Sequence, residues 1–242
     1  MSDILVDMHE GWADLVFNRP ERKNAIHHPF ALQLRDALQQ LNARDDLRAV
    51  VVSGAGGAFC SGLDLKAFNT GPPPPWRAEF HAVWEEVHTL LMASPHVLVA
   101  ALQGPAINGG AALALAGDLM VAGRSAFLQV GEAQYGMAAP RNVSWLVLRH
   151  GEAIAMRLCL LADRLGADEL LRLNLATEVV DDDQVLPRAR DLARRMAAFP
   201  AGGLRGMKAA IRATSLPGGP ADWLRLAMQA GPAASVAPQR VR

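Results

Sequence analysis

The 242 residues include two cysteines, one tyrosine and only three lysines, and acidic and basic side chains cancel at 24 each. Each shortage excludes something. Cys60 and Cys159 are too few for a disulfide framework or a four-thiolate zinc site, which points to a reducing, cytoplasmic setting. A formal net charge of zero supplies no field to gather nucleic acid or an anionic membrane, so neither is an expected partner. Every apolar run is shorter than the ~20 residues a membrane helix requires, and residues 1–7 carry early acids where a leader would be basic and then apolar. The seven histidines show no metal-ligand spacing, so no metal is expected. Three nucleotide or acyl-serine patterns also fail. Gly54-Ala55-Gly56-Gly57-Ala58-Phe59 lacks the third glycine of a dinucleotide fingerprint, and no Gly-Lys-Ser/Thr run forms a phosphate loop. Val51 and Phe59 stand where a nucleophile elbow at Ser53 or Ser61 needs its first glycine.

What is present is α/β patterning. Ile4, Val6 and Met8, then Ala13, Leu15 and Phe17, alternate on either side of Glu10-Gly11 and predict a hairpin. Pro29 suits a helix start, and Phe30, Leu34, Ala37, Leu38 and Leu41 recur at helical spacing behind it. His27 and His28, beside that start, read as solvated or capping residues. Residues 48–53 and 96–102 read as short buried strands, each running into a glycine loop, and the second loop opens into a small-residue helix over 111–116. A third strand follows over 119–122. From residue 141 onward, helical segments are predicted over 143–149, 152–161, 167–173, 184–198, 204–213 and 222–229, with a short strand at 179–180. The proline tract at 71–75 is expected to be extended, as a spacer or a lid. Residues 232–242 have no clear period.

Strands that end in glycine turns place ligand chemistry at their carboxyl ends. Glycine lets main chain approach a ligand closely, and an N–H at a helix amino terminus gains from the helix dipole. Two such donors aimed at one point make an oxyanion hole; the alternative is a pair of ordinary tight turns.

In order along the chain, Phe17-Asn18-Arg19-Pro20-Glu21-Arg22-Lys23-Asn24-Ala25-Ile26, the stretch 49–66 and Ala101-Leu102-Gln103-Gly104-Pro105-Ala106-Ile107-Asn108-Gly109-Gly110 through Asp118 resemble motifs of the crotonase superfamily, the enoyl-CoA hydratase and isomerase proteins. Residues 155–180 are similar to the family's later helical segment, and the match spans roughly 3–214. The resemblance implies an α/β fold, the crotonase (ClpP-like) spiral of ββα units, with a C-terminal helical trimerisation region. It divides the chain into a spiral core over 1–190 and a helical region over 191–242, shorter than usual for the family. It implies a homotrimer or hexamer, an acyl-CoA substrate and no separate cofactor, coenzyme A arriving as part of the substrate. By position, the N–H groups of Leu63 and Gly109 would hold the thioester oxygen, Arg22, Ala25 and Lys66 would meet the CoA, and Asp64 would order its loop.

Hydratases of the family use two glutamates. Ala112 stands at the first position, which argues against hydration, because adding water needs both an activated water and a proton donor. Glu132 stands at the second, in Gly131-Glu132-Ala133-Gln134-Tyr135-Gly136, and this stretch through Pro140 resembles the single-glutamate Δ3,Δ2-enoyl-CoA isomerases. The family's dienoyl isomerases keep acids at the positions of Ala112 and Pro140, which excludes that variant. The resemblance therefore favours an isomerase with Glu132 as catalytic base. Two alternatives stay open: a hydratase or other lyase recruiting an acid such as Glu85, Glu86 or Asp163, and a non-catalytic acyl-CoA-binding relative. Trp76, Phe80, Trp84 and Trp145 are candidates for the acyl pocket or for helix core.

Overall fold

The computed structural model describes residues 2–69, 75–200, 202–216 and 219–230. The opening hairpin is β1 (Ile4–His9) and β2 (Trp12–Phe17), antiparallel about Gly11. There follow α1 (His28–Asn42), β3 (Ala49–Gly54), α2 (Leu65–Asn69), α3 (Arg77–Ala93), β4 (Val97–Leu102), β5 (Ala106–Ile107) and α4 (Gly109–Leu115). Next come β6 (Leu119–Gly123), β7 (Phe127–Gln129), α5 (Pro140–His150), α6 (Glu152–Leu161), β8 (Arg164–Gly166) and α7 (Ala167–Arg172). The last elements are β9 (Glu178–Val180), α8 (Val185–Ala197), α9 (Gly203–Ser215) and α10 (Gly219–Ala230). Most of the proline tract, residues 71–74, and the tail from 231 lie outside the described residues. No helix among the described residues is long and apolar enough to cross a membrane.

The main sheet has the order β1-β2-β3-β4-β6-β9, parallel throughout except for the β1–β2 pair. Side chains on a strand alternate between its faces. Ala49, Val51, Val99, Ala101 and Val121 therefore cluster with Val185, Ala189, Ala193 and Met196 of α8 on one side. Val50, Val52, Leu98, Ala100 and Leu102 join the larger core built with α1 and α3 on the other. Covering both faces explains why β3 and β4 read as unbroken apolar runs and not as alternating ones. The division at 190/191 falls within α8.

A second sheet, β5-β7-β8, has strands of two or three residues each. Nothing local predicts them, because a strand that short carries no period; they exist through pairing between segments about 20 to 40 residues apart.

Behind β4 and β6, Asp118 holds the structure together. Its carboxylate accepts the Leu98 N–H at 2.9 Å, Lys208 Nζ at 2.7 Å, Arg212 at 3.0 Å and Arg149 at 3.1 Å. Burial alone would push the carboxyl pKa up, but Lys208 and Arg149 outweigh it and hold it below the usual value. Removing one partner of a buried ion network leaves the others uncompensated, typically at 3–5 kcal/mol. Asp118→Ala is accordingly expected to lower the thermal midpoint by about 10 °C. A midpoint within 2 °C or so of the parent, read by circular dichroism, would show that the cations find other partners.

Candidate active site

The loop after β3 is stapled from the side. Asn24, fully buried and at φ 55, a conformation asparagine tolerates better than most residues, donates through Nδ2 to the carbonyls of Ala58 at 2.8 Å and Ala55 at 2.9 Å. Its Oδ1 accepts the Arg19 N–H at 2.8 Å. Farther along, Cys60 pairs with Ala106 in a parallel bridge: Cys60 N–H donates to Pro105 and Ile107 N–H donates to the Cys60 carbonyl. The two glycine loops predicted to work together are thus joined directly.

Two glycines permit this approach. A side chain at Gly62, which has φ 87, would begin 2.7 Å from the Ile107 carbonyl oxygen, and one at Gly110 would begin 2.1 Å from the Cys60 carbonyl oxygen. Ile26 donates to the Gly62 carbonyl and accepts the Asp64 N–H, both at 2.8 Å. In a parallel bridge of this kind the residue between those partners turns its own N–H to the other side, so that of Leu63 faces away from Ile26. Gly109 opens α4, where an N–H has no intrahelical acceptor. Neither N–H donates to a carbonyl among the described residues.

Asn108, beside Gly109, sits at φ 53 and ψ −114, a strained backbone for a residue with a side chain. Three contacts hold it there. Its N–H donates to the Gln129 carbonyl at 2.8 Å, its Oδ1 accepts the Gly131 N–H at 2.8 Å, and its carbonyl accepts Asn142 Nδ2 at 3.1 Å. The same Asn142 amide donates to Glu132 Oε1 at 2.9 Å. Glu132 is thereby tied to the residue that precedes Gly109.

The other carboxylate oxygen, Glu132 Oε2, is shielded from solvent and has no hydrogen-bond partner. Burial pushes the Glu132 pKa up to about 7, with its own backbone N–H and Asn142 limiting the rise. A carboxyl that titrates near neutrality can both accept and return a proton. Ala112 is completely buried and brings only a methyl group to the first turn of α4. Glu85, Glu86 and Asp163 are all exposed, with Glu86 engaged by Gln39.

Arg22 and Ala25 lie beside the first loop. The Arg22 guanidinium reaches Asp64 at 3.2 Å, Arg19 reaches it at 3.0 Å, and the Ala25 carbonyl accepts Arg19 at 2.9 Å. Burial would raise the Asp64 pKa; the Ala67 N–H, Arg19 and Arg22 overcome it and keep the group ionised. Asp64 thus ties the 19–26 stretch to the start of α2, as a loop-ordering residue would. Lys66 is exposed on α2. His27 and His28 depart from expectation. His27 occupies the N-cap of α1 without a capping hydrogen bond and lies 3.5 Å from Asp3, while His28 stacks on Trp76 at 5.5 Å; neither is freely solvated.

Of the aromatic candidates, Trp145 is wholly buried and Phe80 nearly so. Trp84 packs against the start of α4: its Cζ2 would lie 3.8 Å from a side chain at Gly109. Remote from this region, the hairpin brings Asp7, His9 and Asp14 together, a cross-strand grouping that sequence spacing hides. Arg190 already neutralises Asp14 at 3.0 Å. The roles of Asn108 and Asn142 also went unread in the sequence, since both act through partners brought up by folding.

The sequence pattern described as "Enoyl-CoA hydratase/isomerase" matches residues 7–222. A 1,2-epoxyphenylacetyl-CoA isomerase of Escherichia coli is 34% identical over 215 residues, covering 87% of this chain and 82% of that protein. A probable enoyl-CoA hydratase of Mycobacterium bovis is 33% identical over 195 residues, covering 77% and 68%. Among solved structures, an enoyl-CoA hydratase from Mycobacterium avium subsp. paratuberculosis superposes with a TM-score of 0.84 at 26% identity, covering 95% of this chain and 92% of that one. A monofunctional enoyl-CoA isomerase from M. smegmatis gives 0.75 at 26% identity, covering 89% and 94%. With paired glycine loops on a crotonase fold and a family-wide match over most of its length, this chain belongs to the enoyl-CoA hydratase/isomerase family of acyl-CoA enzymes.

Proposed function

We propose that the protein is a single-glutamate isomerase that converts a 3-enoyl-CoA to the conjugated 2-enoyl-CoA. The observation that carries the reading is Glu132: one shielded carboxyl, poised near pH 7, with one oxygen held by Asn142 and the other unpartnered, and no second acid beside it among the described residues. In this reading Oε2 takes a proton from C2. The electron pair moves onto the thioester oxygen, which the N–H groups of Leu63 and Gly109 receive as an oxyanion. The same carboxyl then returns its proton at C4, so one group completes the cycle. Each aligned donor in such a hole is typically worth about 3 kcal/mol. Lys66, with the main chain near Arg22 and Ala25, would meet the CoA, while the Arg22–Asp64 contact keeps the first loop in register.

Two relatives bear isomerase names, the E. coli epoxyphenylacetyl-CoA enzyme and the M. smegmatis protein, and others bear hydratase names. Ala112 separates the readings, since hydration needs a second functional group where this chain has a buried methyl. Incubation with 3-hexenoyl-CoA and, separately, crotonyl-CoA tests the proposal. Conversion of the first alone is expected; hydration of the second would overturn the reading in favour of a hydratase, and inertness toward both would favour a binding protein.

The base must be ionised to start the cycle, so kcat/KM on 3-hexenoyl-CoA is expected to rise with pH through about 7 and then level off. Asn142 acts on this midpoint, because its amide favours the charged carboxylate. Asn142→Leu is expected to move the midpoint to higher pH and to cost about tenfold in kcat/KM at pH 7. A purely structural role would lower stability and leave the midpoint where it was.

A further inference from the structure

Between α3 and α5 lies a group of buried hydrogen-bond donors with nothing to receive them. Arg141, on the first turn of α5, has both Nε and Nη2 shielded from solvent and without an acceptor among the described residues. His88 on α3 is completely buried. Its Nδ1 accepts the Trp145 indole N–H at 3.0 Å, which places the proton of the neutral ring on Nε2, and Nε2 is also shielded and unpartnered. Trp145 follows Arg141 by four residues and so shares its face of α5. Burial, and secondarily the Arg141 charge, depress the pKa values of both His81 and His88, consistent with Arg141 standing close to that stretch of α3. Exposed Glu85 favours the charged guanidinium without forming a hydrogen bond to it.

The group borders the reacting centre on both helices. Arg141 immediately precedes Asn142, which holds Glu132, and Trp84, one turn before His88, packs against Gly109. An acyl chain whose thioester sits at Leu63 and Gly109 would therefore run toward these donors. Buried donors are almost always satisfied in native structures, so unfilled ones beside a ligand site indicate what the ligand brings. Nε and Nη2 form the edge of a guanidinium that grips a carboxylate through two parallel hydrogen bonds.

We infer that the preferred substrates are monothioesters of dicarboxylic acids, with Arg141 and His88 receiving the carboxylate at the far end of the acyl chain. This rests on the placement of the thioester in the proposed function, but not on the isomerisation itself. Saturated ligands keep the two apart. Calorimetric dissociation constants for succinyl-, glutaryl- and adipyl-CoA, set against butyryl-, pentanoyl- and hexanoyl-CoA, are expected to favour one dicarboxylic member over its matched partner by about tenfold or more, the typical worth of a charge-assisted hydrogen bond. Arg141→Leu is expected to erase that preference while still binding the uncharged series, which also reports that the variant is folded, and Arg141→Lys to keep part of it. The inference is overturned if every uncharged thioester binds the wild type as tightly as its dicarboxylic counterpart, or if the preference survives Arg141→Leu. If no thioester binds, the acyl-CoA site itself is misplaced and the inference falls with it. Isomerisation is read separately: 3-hexenedioyl-CoA is expected to outrun 3-hexenoyl-CoA, and tight dicarboxylic binding without turnover of either would reject the isomerase and leave the substrate class standing.

Discussion

Glu132→Gln is expected to lower turnover of a 3-enoyl-CoA by about 10³- to 10⁴-fold while making the protein more stable at alkaline pH. The loss follows from removing the proposed proton shuttle, a contribution typically at the upper end of what general acid–base groups supply. The glutamine retains the oxygen that Asn142 holds, so the surroundings stay in place. The gain follows from linkage. Glu132 titrates near 7 in the folded chain against a usual value of 4.5. Since the fold holds this proton more tightly than the unfolded chain does, the group costs nothing below pH 4.5 or so, costs progressively more as pH rises toward 7, and costs its full amount above that. At 1.36 kcal/mol per pH unit, the full cost is up to about 3 kcal/mol. Glutamine escapes it. At pH 8 the variant is expected to melt several degrees higher than the parent, and near pH 4.5 the two should coincide. An active variant, or one destabilised at pH 8, would remove Glu132 from the role assigned to it.

Gly110→Ala should be nearly as damaging, by a different route. The added carbon would stand 2.1 Å from the Cys60 carbonyl oxygen and 2.8 Å from its carbon, atoms of main chain that the Cys60–Ala106 bridge prevents from yielding. Something must move, and the freest response is for the start of α4 to part from the 60–63 loop. That separates the N–H of Gly109 from that of Leu63. The expected cost is about 3 kcal/mol of stability from overpacking and about 10²- to 10³-fold in kcat from the mis-set oxyanion donor. Gly109→Ala is the control. Its new carbon meets Ile26 Cδ1 at 3.1 Å, the end of a side chain able to rotate, and its N–H remains. If the two variants behave alike in kcat and thermal midpoint, close contact between the loops is not what sets the donors.

How much of this could be read beforehand depended on how local the cause was. The hairpin, the buried strands β3 and β4 and the segments that became α5 to α10 are periodic in themselves, and they emerge within a few residues of their predicted bounds. The second sheet does not, because Ala106–Ile107, Phe127–Gln129 and Arg164–Gly166 owe their conformation to one another. The candidate site divides the same way. Glu132 and the glycine loops stand out along the chain, by resemblance and by composition. That Glu132 is shielded does not, since its neighbours Gly131, Ala133 and Gln134 are not an apolar run; helix α5 brings Asn142 to it from ten residues away. The donors of Arg141 and His88 were equally invisible, for they matter only once α3 and α5 are side by side.

The Asp118 network bears on when the chain can finish folding. Two of its three cations, Lys208 and Arg212, follow Asp118 by 90 and 94 residues, and both belong to α9. A growing chain that has released β1 through α5 has only Arg149 to set against this carboxylate. Two of the three counter-charges therefore arrive only when α9 has left the ribosome, and completion of this side of the sheet waits for that helix and not for the emergence of the strands β1 to β6.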